Sequence, residues 1–337
     1  MVRGVPPDCF AAVMATGIVS VGLRDAVPGV SVGLMWAACA VYGVLCAASV
    51  GRVVAVRGDV RRDLVDPGRA FGFFTFVAGT DVIGVRMALD GRLAVAVVLF
   101  GVGGLAWLVL GYAVPWWAVM GDRTRGSVLG RANGGWFVAV VAAQSVAILA
   151  AVLERSGGGE VGVVLALVAV VCWSVGVVGY LAVAMVVAVR LLVERPEPGE
   201  VTPAYWVAMG ATAITVLAGS QITRMAPAPA LSAVRPLPAA VSVLFWGFGT
   251  WLIPPLLAAG WWRHVTHRVP LRFEGGWWSI VFPLGMYGVA TAALGQADRL
   301  PLVLGIGHGE IWLAAAAWAV TAAGGAVHLV RRARVRV

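Results

Sequence analysis

Lysine is absent from this chain of 337 residues, and charge of either sign is scarce, with Asp, Glu and Arg making up 12% of the sequence. A soluble domain carries about twice that share, so an ordinary water-facing surface is excluded. Cysteine is limited to Cys9, Cys39, Cys46 and Cys172, all inside apolar runs and never as C-x-x-C. That spacing supports neither a disulfide framework nor a thiolate metal site, and leaves four small buried hydrophobes. Histidine is as rare, and neither H-E-x-x-H nor G-x-S-x-G occurs. The zinc-hydrolase and serine-nucleophile signatures are therefore missing. No enzymatic activity, cofactor or metal is expected.

What is abundant is apolar. Hydrophobic residues make up 61% of the chain, and the mean hydropathy is +0.91. Ten runs approach or exceed the ~20 residues that cross a bilayer. They span approximately 8–24, 31–56, 70–88, 93–119, 133–153, 161–193, 204–223, 238–262, 275–294 and 303–329. No soluble domain or long linker separates them, so the reading is an all-α integral membrane protein with one transmembrane domain over 1–337. The opening "MVRGVPPDCF" runs straight into the first span, so no removable leader is expected.

The 25 basic residues are all arginine and lie between the runs. Nucleic-acid binding is not expected from such a distribution; topological anchoring is. Placing the N-terminus in the cytoplasm puts 18 arginines inside and 7 outside, the bias that cytoplasmic loops show. Both termini are thus expected in the cytoplasm, with the lipid bilayer as the chain's solvent.

A repeat underlies the runs. The odd-numbered spans begin near 8, 70, 133, 204 and 275, and several carry small residues with threonine: "MATGIVS", "AGTDVIG", "MGATAITVLAG" and "GVATAALG". The even spans are richer in leucine, valine and tryptophan. Alternation at that period suggests stacked helical hairpins. Five hairpins close naturally into a quasi-fivefold ring, with small residues letting the inner helices approach. The inner set would be 8–24, 70–88, 133–153, 204–223 and 275–294, surrounded by the remaining five. An irregular bundle packed through small residues is the competing geometry.

Within the ninth span, "WWSIVFPLGMYGVAT" places Phe282-Pro283 just before Gly285 and Gly288. An interior proline costs ~3 kcal/mol or more in a helix, and the backbone it frees must find protein or water. A helix lining a wet axis satisfies that need, and a phenylalanine there would plug the axis. Ordinary packing at a kink is the alternative.

The stretches "PPDCFAAVMATGIVSVG", "ANGGWFVAVVAAQSVA", "TPAYWVAMGATAITVLAG", "FWGFGTWLIPPLL" and "WWSIVFPLGMYGVAT", in that order, resemble one family across essentially the whole chain. It is the tellurite-resistance TehA, C4-dicarboxylate (malate) permease and slow-anion-channel family, which includes fungal sulfite efflux pumps. "MATGIVS" and "FPLGMYGVAT" look closer to the dicarboxylate and sulfite branch than to the plant channels. The resemblance implies a central pore for small anions, a plasma-membrane location, a homotrimer as the assembly and Phe282 as the pore-occluding residue, with Pro283 beside it. Tellurite resistance, where seen, would be an indirect consequence of anion movement.

On that reading, Thr16, Gly17, Ser20, Thr80, Gln144, Gly210, Thr212, Thr215, Gly285 and Thr291 are expected to line the pore. Neutral donors suit conduction, since a fixed charge would hold the anion too tightly. Arg24, Arg86, Arg155, Arg224 and Arg299 end the odd spans and are expected to form a basic collar at the outer mouth. Capping of helix C-termini is the plainer account of them. Asp81, inside the third span, would serve either a proton-coupled dicarboxylate carrier or a structural pair with Arg86 or Arg224. Glu310, beside His308, is read as interfacial, and His264 and His267 as members of a solvated basic loop.

Overall fold

A computed structural model describes residues 5–120, 127–226, 236–271 and 273–335. Ten principal helices carry it, named here α1 (Ala11–Gly22), α2 (Pro28–Ala55), α3 (Phe74–Leu89), α4 (Leu93–Met120), α5 (Phe137–Glu154), α6 (Gly159–Val193), α7 (Val207–Thr223), α8 (Pro236–Trp261), α9 (Trp278–Ala297) and α10 (Pro301–Val335). A short helix, Arg57–Leu64, lies between α2 and α3. Among the described residues no strand occurs. Arg3, Arg123, Arg125, Arg235, Arg272 and Arg336, all used in the orientation argument, lie outside the described residues.

The odd helices form a closed ring. α1 packs on α3, α3 on α5, α5 on α7, α7 on α9, and α9 returns to α1. Each even helix packs against its own hairpin partner and then against the next inner helix: α2 on α3, α4 on α5, α6 on α7, α8 on α9 and α10 on α1. Burial separates the two sets. The odd spans long enough to cross a membrane are 67–94% buried over their apolar windows, the even ones 11–33%. Bulky apolar side chains such as Val44, Leu181 and Met185 are left for lipid to cover.

One expected span is shorter than its apolar run. Residues 8–24 yield only the 12 residues of α1, about 18 Å of helix against a ~30 Å hydrocarbon core. Pro6-Pro7 stops helix from extending upstream. Among the described residues nine helices remain that are individually long and apolar enough to cross. The inner helices are shorter than the outer ones throughout, 12 to 20 residues against 26 to 35. The ring is therefore a short collar inside a taller wall.

Glycine decides how closely the ring packs. A Cβ on Gly17 of α1 would lie 2.5 Å from Val82 of α3, and one on Gly84 of α3 2.6 Å from Leu149 of α5. One on Gly210 of α7 would lie 2.9 Å from Pro283 of α9, and one on Gly285 of α9 2.8 Å from Ile18 of α1. The fifth seam, α5 to α7, is joined by a hydrogen bond from Gln144 Nε2 to Thr215 Oγ1 (3.1 Å). The small residues of the repeat thus line the seams between neighbours.

Candidate functional site

The inner helices enter through similar short turns. Ala70–Phe73, Gly134–Trp136, Pro203–Trp206 and Gly275–Trp277 are each a 3-10 turn leading into α3, α5, α7 and α9. These turns lock on one another. Phe71 stacks on Trp136 at 4.4 Å, and Trp136 Nε1 donates to the Pro67 carbonyl (2.9 Å). A Cβ on Gly134 would lie 2.5 Å from the Ala204 carbonyl carbon, so only glycine lets those two entries touch.

Arginines on the outer helices brace this rim. Arg190, near the end of α6, donates to the Ala132 carbonyl (2.5 Å) and the Tyr205 hydroxyl (3.3 Å), and pairs with Glu200 at 3.3 Å. Arg263, beyond α8, donates to the carbonyls of Gly199 (3.2 Å) and Val201 (2.7 Å). Arg52, near the end of α2, pairs with Asp63. All three are buried. By sequence they count only as topological anchors, yet Arg190 ties α6 to the entries of α5 and α7, Arg263 ties the end of α8 to the segment before α7, and Arg52 ties α2 to the short helix Arg57–Leu64. A recurring arginine at the end of an even span was the signal for them.

The rim encloses a cavity of about 570 Å³ whose wall draws on all five inner entries, including Asp8, Thr75, Val138, Val207 and Ser279. Arg69, Arg131 and Arg190 share that wall with Asp66 and Glu200. Arg131 pairs with Asp66 at 2.7 Å, so the side-chain charges largely offset one another. The backbone does not: five inner helices begin here, and each helix N-terminus carries roughly half a positive charge.

A second, apolar cavity of about 30 Å³ lies further along the ring, again walled by every inner helix: Ile18, Val82, Ile148, Ile214 and Met286 among others. The two cavities stand in register. Thr75, Val138, Val207 and Ser279 line the first; Val82, Ser145, Ile214 and Met286, each seven residues on, line the second. Residues seven apart share a helix face, and the position between them on that stripe is three beyond the first. Those intermediate positions are Ala78, Val141, Gly210 and Phe282, with Met14 of α1 one turn before Ile18. Every one of them is buried. Phe282 is 2% exposed, and it is the one aromatic side chain in this layer. Pro283 leaves the Ser279 carbonyl without its helical donor, and Ser279 belongs to the wall of the larger cavity.

The hydroxyls expected in the pore are elsewhere. Trp318 Nε1 of α10 donates to Thr16 Oγ1 (3.0 Å), and Trp246 Nε1 of α8 to Thr291 Oγ1 (3.1 Å). Thr80 bonds the Tyr42 hydroxyl of α2 at 2.9 Å. Ser20 and Ser31 exchange bonds with each other's carbonyls across α1 and α2 (2.7 and 2.6 Å). Gln144 reaches the Trp173 carbonyl of α6 (3.3 Å) besides Thr215, and Thr212 abuts Gly249 of α8. These groups clasp the inner ring to the outer wall, where a dry interface gives each hydroxyl a partner that lipid cannot supply. Gly17, Gly210 and Gly285 belong to the seams described above. Thr80→Val is expected to cost about 1 kcal/mol of stability while leaving relative anion permeabilities unchanged. Thermal unfolding and reversal potentials check both, and altered permeability ratios would return Thr80 to the conduction path.

Asp81 makes no pair with Arg86 or Arg224. Its Oδ2 accepts from Ser145 Oγ (2.7 Å), and its carboxyl lies against Gly103 of α4, where a Cβ would come within 3.0 Å of Cγ. Asp81 is fully buried, part of the wall of the small cavity but turned toward the α3–α4–α5 interface. Arg86 pairs instead with Asp90 at 3.1 Å.

At the opposite end of the ring the arginines cap neighbours. Arg24 donates to the Leu89 carbonyl ending α3 (2.6 Å), and Arg224 to the Ala293 carbonyl near the end of α9 (3.0 Å). Arg155 bonds Gln221 near the end of α7; burial first, and then the nearby Arg224, lower its guanidinium from the ordinary value. Arg299 is exposed in the turn after α9. Five helix C-termini gather here with roughly half a negative charge each, and these cations oppose that field. His264 and His267 each use Nδ1 on a backbone carbonyl, of Val269 (2.8 Å) and Trp262 (3.0 Å). Glu310 is half-buried on α10 and His308 is exposed.

Comparison with known proteins bears on this geometry. The sequence model of the family described as "Voltage-dependent anion channel" matches residues 4–326. A protein of Mycobacterium tuberculosis named only as an uncharacterized membrane protein is 55% identical over 142 residues, covering 42% of this chain and 72% of the relative. Two proteins of Methanocaldococcus jannaschii, each named an uncharacterized transporter, are 24% identical over 332 and 331 residues, 95% of this chain and 92% and 93% of theirs.

Proposed function

The chain belongs to the voltage-dependent anion channel family, and from that premise we propose that it passes small anions along the axis of its inner ring, with Phe282 as the gate. The observation that supports this reading is the pair of cavities on one axis, the larger walled by all five inner entries and the smaller by all five inner helices, with Phe282 at the level between them. Candidate permeants are C4-dicarboxylates such as malate, sulfite, or inorganic monovalent anions. The larger cavity gathers five helix N-termini, whose partial charges attract an anion without binding it as a fixed cation would. Beyond Phe282 the axis is apolar and narrow, so a small rotation of one ring decides whether water and ions fill it.

The arginine distribution supports placing the larger cavity on the cytoplasmic side of the plasma membrane, together with both termini. The collar at the other end acts by cancelling the carbonyl field that would otherwise repel anions. A proton-coupled dicarboxylate carrier is the second reading, favoured by the complete burial of Asp81. Its carboxyl faces Ser145 and Gly103 and not the larger cavity, which argues for channel-like passage.

Ion substitution on purified protein in planar bilayers tests the choice. Reversal potentials are expected to follow the anion gradient and to ignore a pH gradient. A reversal potential that moves with proton concentration would support the carrier, and cation selectivity would defeat both readings.

A further inference from the structure

A third cavity lies outside the ring. It is an apolar groove of about 420 Å³ between α2 and α4, with Phe10, Cys46, Val50, Val53, Phe76 and Leu110 in its wall. Val60, from the short helix Arg57–Leu64, contributes to the same wall, as does Arg52. Positions 57, 60 and 61 of that helix are i, i+3 and i+4, so Arg57 and Arg61 share a face with the groove-lining Val60.

The charges nearby are unequally committed. Asp63 pairs with both Arg52 and Arg69 (3.1 Å to the latter), and Asp59 pairs with Arg62. Each carboxylate of the short helix is thereby occupied. Arg57 and Arg61 are exposed and have no ion-pair partner among the described residues. An unmatched pair of guanidiniums therefore stands at the end of a hydrocarbon-lined trough on the lipid-facing surface. Guanidinium holds phosphate through parallel hydrogen bonds, and a basic segment at the membrane surface is drawn to anionic lipid.

We infer that this groove is a binding site for one anionic phospholipid, an acyl chain lying between α2 and α4 and the headgroup phosphate on Arg57 and Arg61. The site stands apart from the ring axis and does not depend on the anion-conduction reading. The occupant is a lipid because one end of the site is purely apolar and the other is cationic, and because α2 beside it presents Val44 and Val54 outward.

The test is native mass spectrometry of the delipidated full chain, titrated with phosphatidylglycerol or with phosphatidylcholine of identical chains. A one-to-one phosphatidylglycerol adduct is expected at about tenfold lower lipid concentration than the phosphatidylcholine adduct. The Arg57→Gln/Arg61→Gln variant should erase that preference, and Val60→Trp, which fills the trough, should weaken both adducts. Far-ultraviolet circular dichroism confirms that each variant keeps its helices. Equal binding of the two lipids by the native chain would overturn the proposal. So would a preference that survives the double arginine change, adducts indifferent to Val60→Trp, or displacement of phosphatidylglycerol by glycerol 1-phosphate, which would leave the groove without a role.

Discussion

Phe282→Ala is expected to raise basal anion conductance in liposomes or planar bilayers on the order of tenfold. On the proposed gating, opening the axis requires the ring to leave its resting rotamer, which costs about 0.5–1.5 kcal/mol, and a change of 1.4 kcal/mol in a barrier is a factor of ten in rate. Removing the ring abolishes that step and widens the dry constriction behind it. The competing account makes Phe282 a packing residue, and it predicts a different pair of numbers. Truncating a core phenylalanine costs about 3–5 kcal/mol of stability, and conductance would stay at its native level. Measuring flux and thermal unfolding on the same sample separates the two, because a gate gives more current with modest destabilisation. Unchanged current in a folded protein removes the gate. Of the other layer residues, Ala78 and Gly210 are small and Val141 is short, so Met14 is the side chain to truncate alongside Phe282 if closure persists in the single variant.

A large loss of stability is also expected from Gly307→Ala. A Cβ at this position would run into the backbone nitrogen of Ala292, and α9 answers with its own close approaches. A Cβ on Gly295 would lie 2.5 Å from the Leu304 nitrogen, and one on Gly288 2.9 Å from that of Ile311. Backbone cannot swing aside as a side chain can, so the helices must separate. Overpacking costs about 1–3 kcal/mol, and this contact belongs at the upper end. α10 supplies its own controls, since a Cβ on Gly305 or Gly309 meets nothing within 4 Å. Gly305→Ala and Gly309→Ala should therefore be neutral, or gain up to about 1 kcal/mol from helix propensity. Equal melting temperatures for the three alanine variants would mean that the close backbone approach of α9 and α10 does not limit the stability of that hairpin.

Much of the architecture was readable from residues alone, because membrane spans announce themselves by length and the small-residue signature recurred on alternate ones. The direction of the polar groups was not readable. A threonine in a membrane helix satisfies its hydroxyl equally well at a wet axis or against another helix, and nothing local to "MATGIVS" or "AGTDVIG" distinguishes these. The distinguishing signal lay on the even spans, where the side chains of Tyr42, Trp246 and Trp318 wait opposite Thr80, Thr291 and Thr16. The stripe that walls the small cavity was also present as Val82, Ile214 and Met286, but large apolar residues in a membrane span attract no notice. Phe282 could be singled out because its proline neighbour is an anomaly that needs explaining. The arginine braces at Arg190 and Arg263 escaped because positive charge near a span's end already has an accepted meaning.

The bond from Trp318 to Thr16 joins residues 302 positions apart, and it carries a consequence for biosynthesis. α1 leaves the ribosome before the other nine helices, yet its 12 residues cannot span a bilayer unaided, and two of the helices it leans on, α9 and α10, are made after the other eight. Until α9 and α10 have been made the growing chain is an open arc with an unsatisfied edge. A nascent protein truncated before α10 should therefore remain dependent on membrane insertion factors, its first segment unmoored.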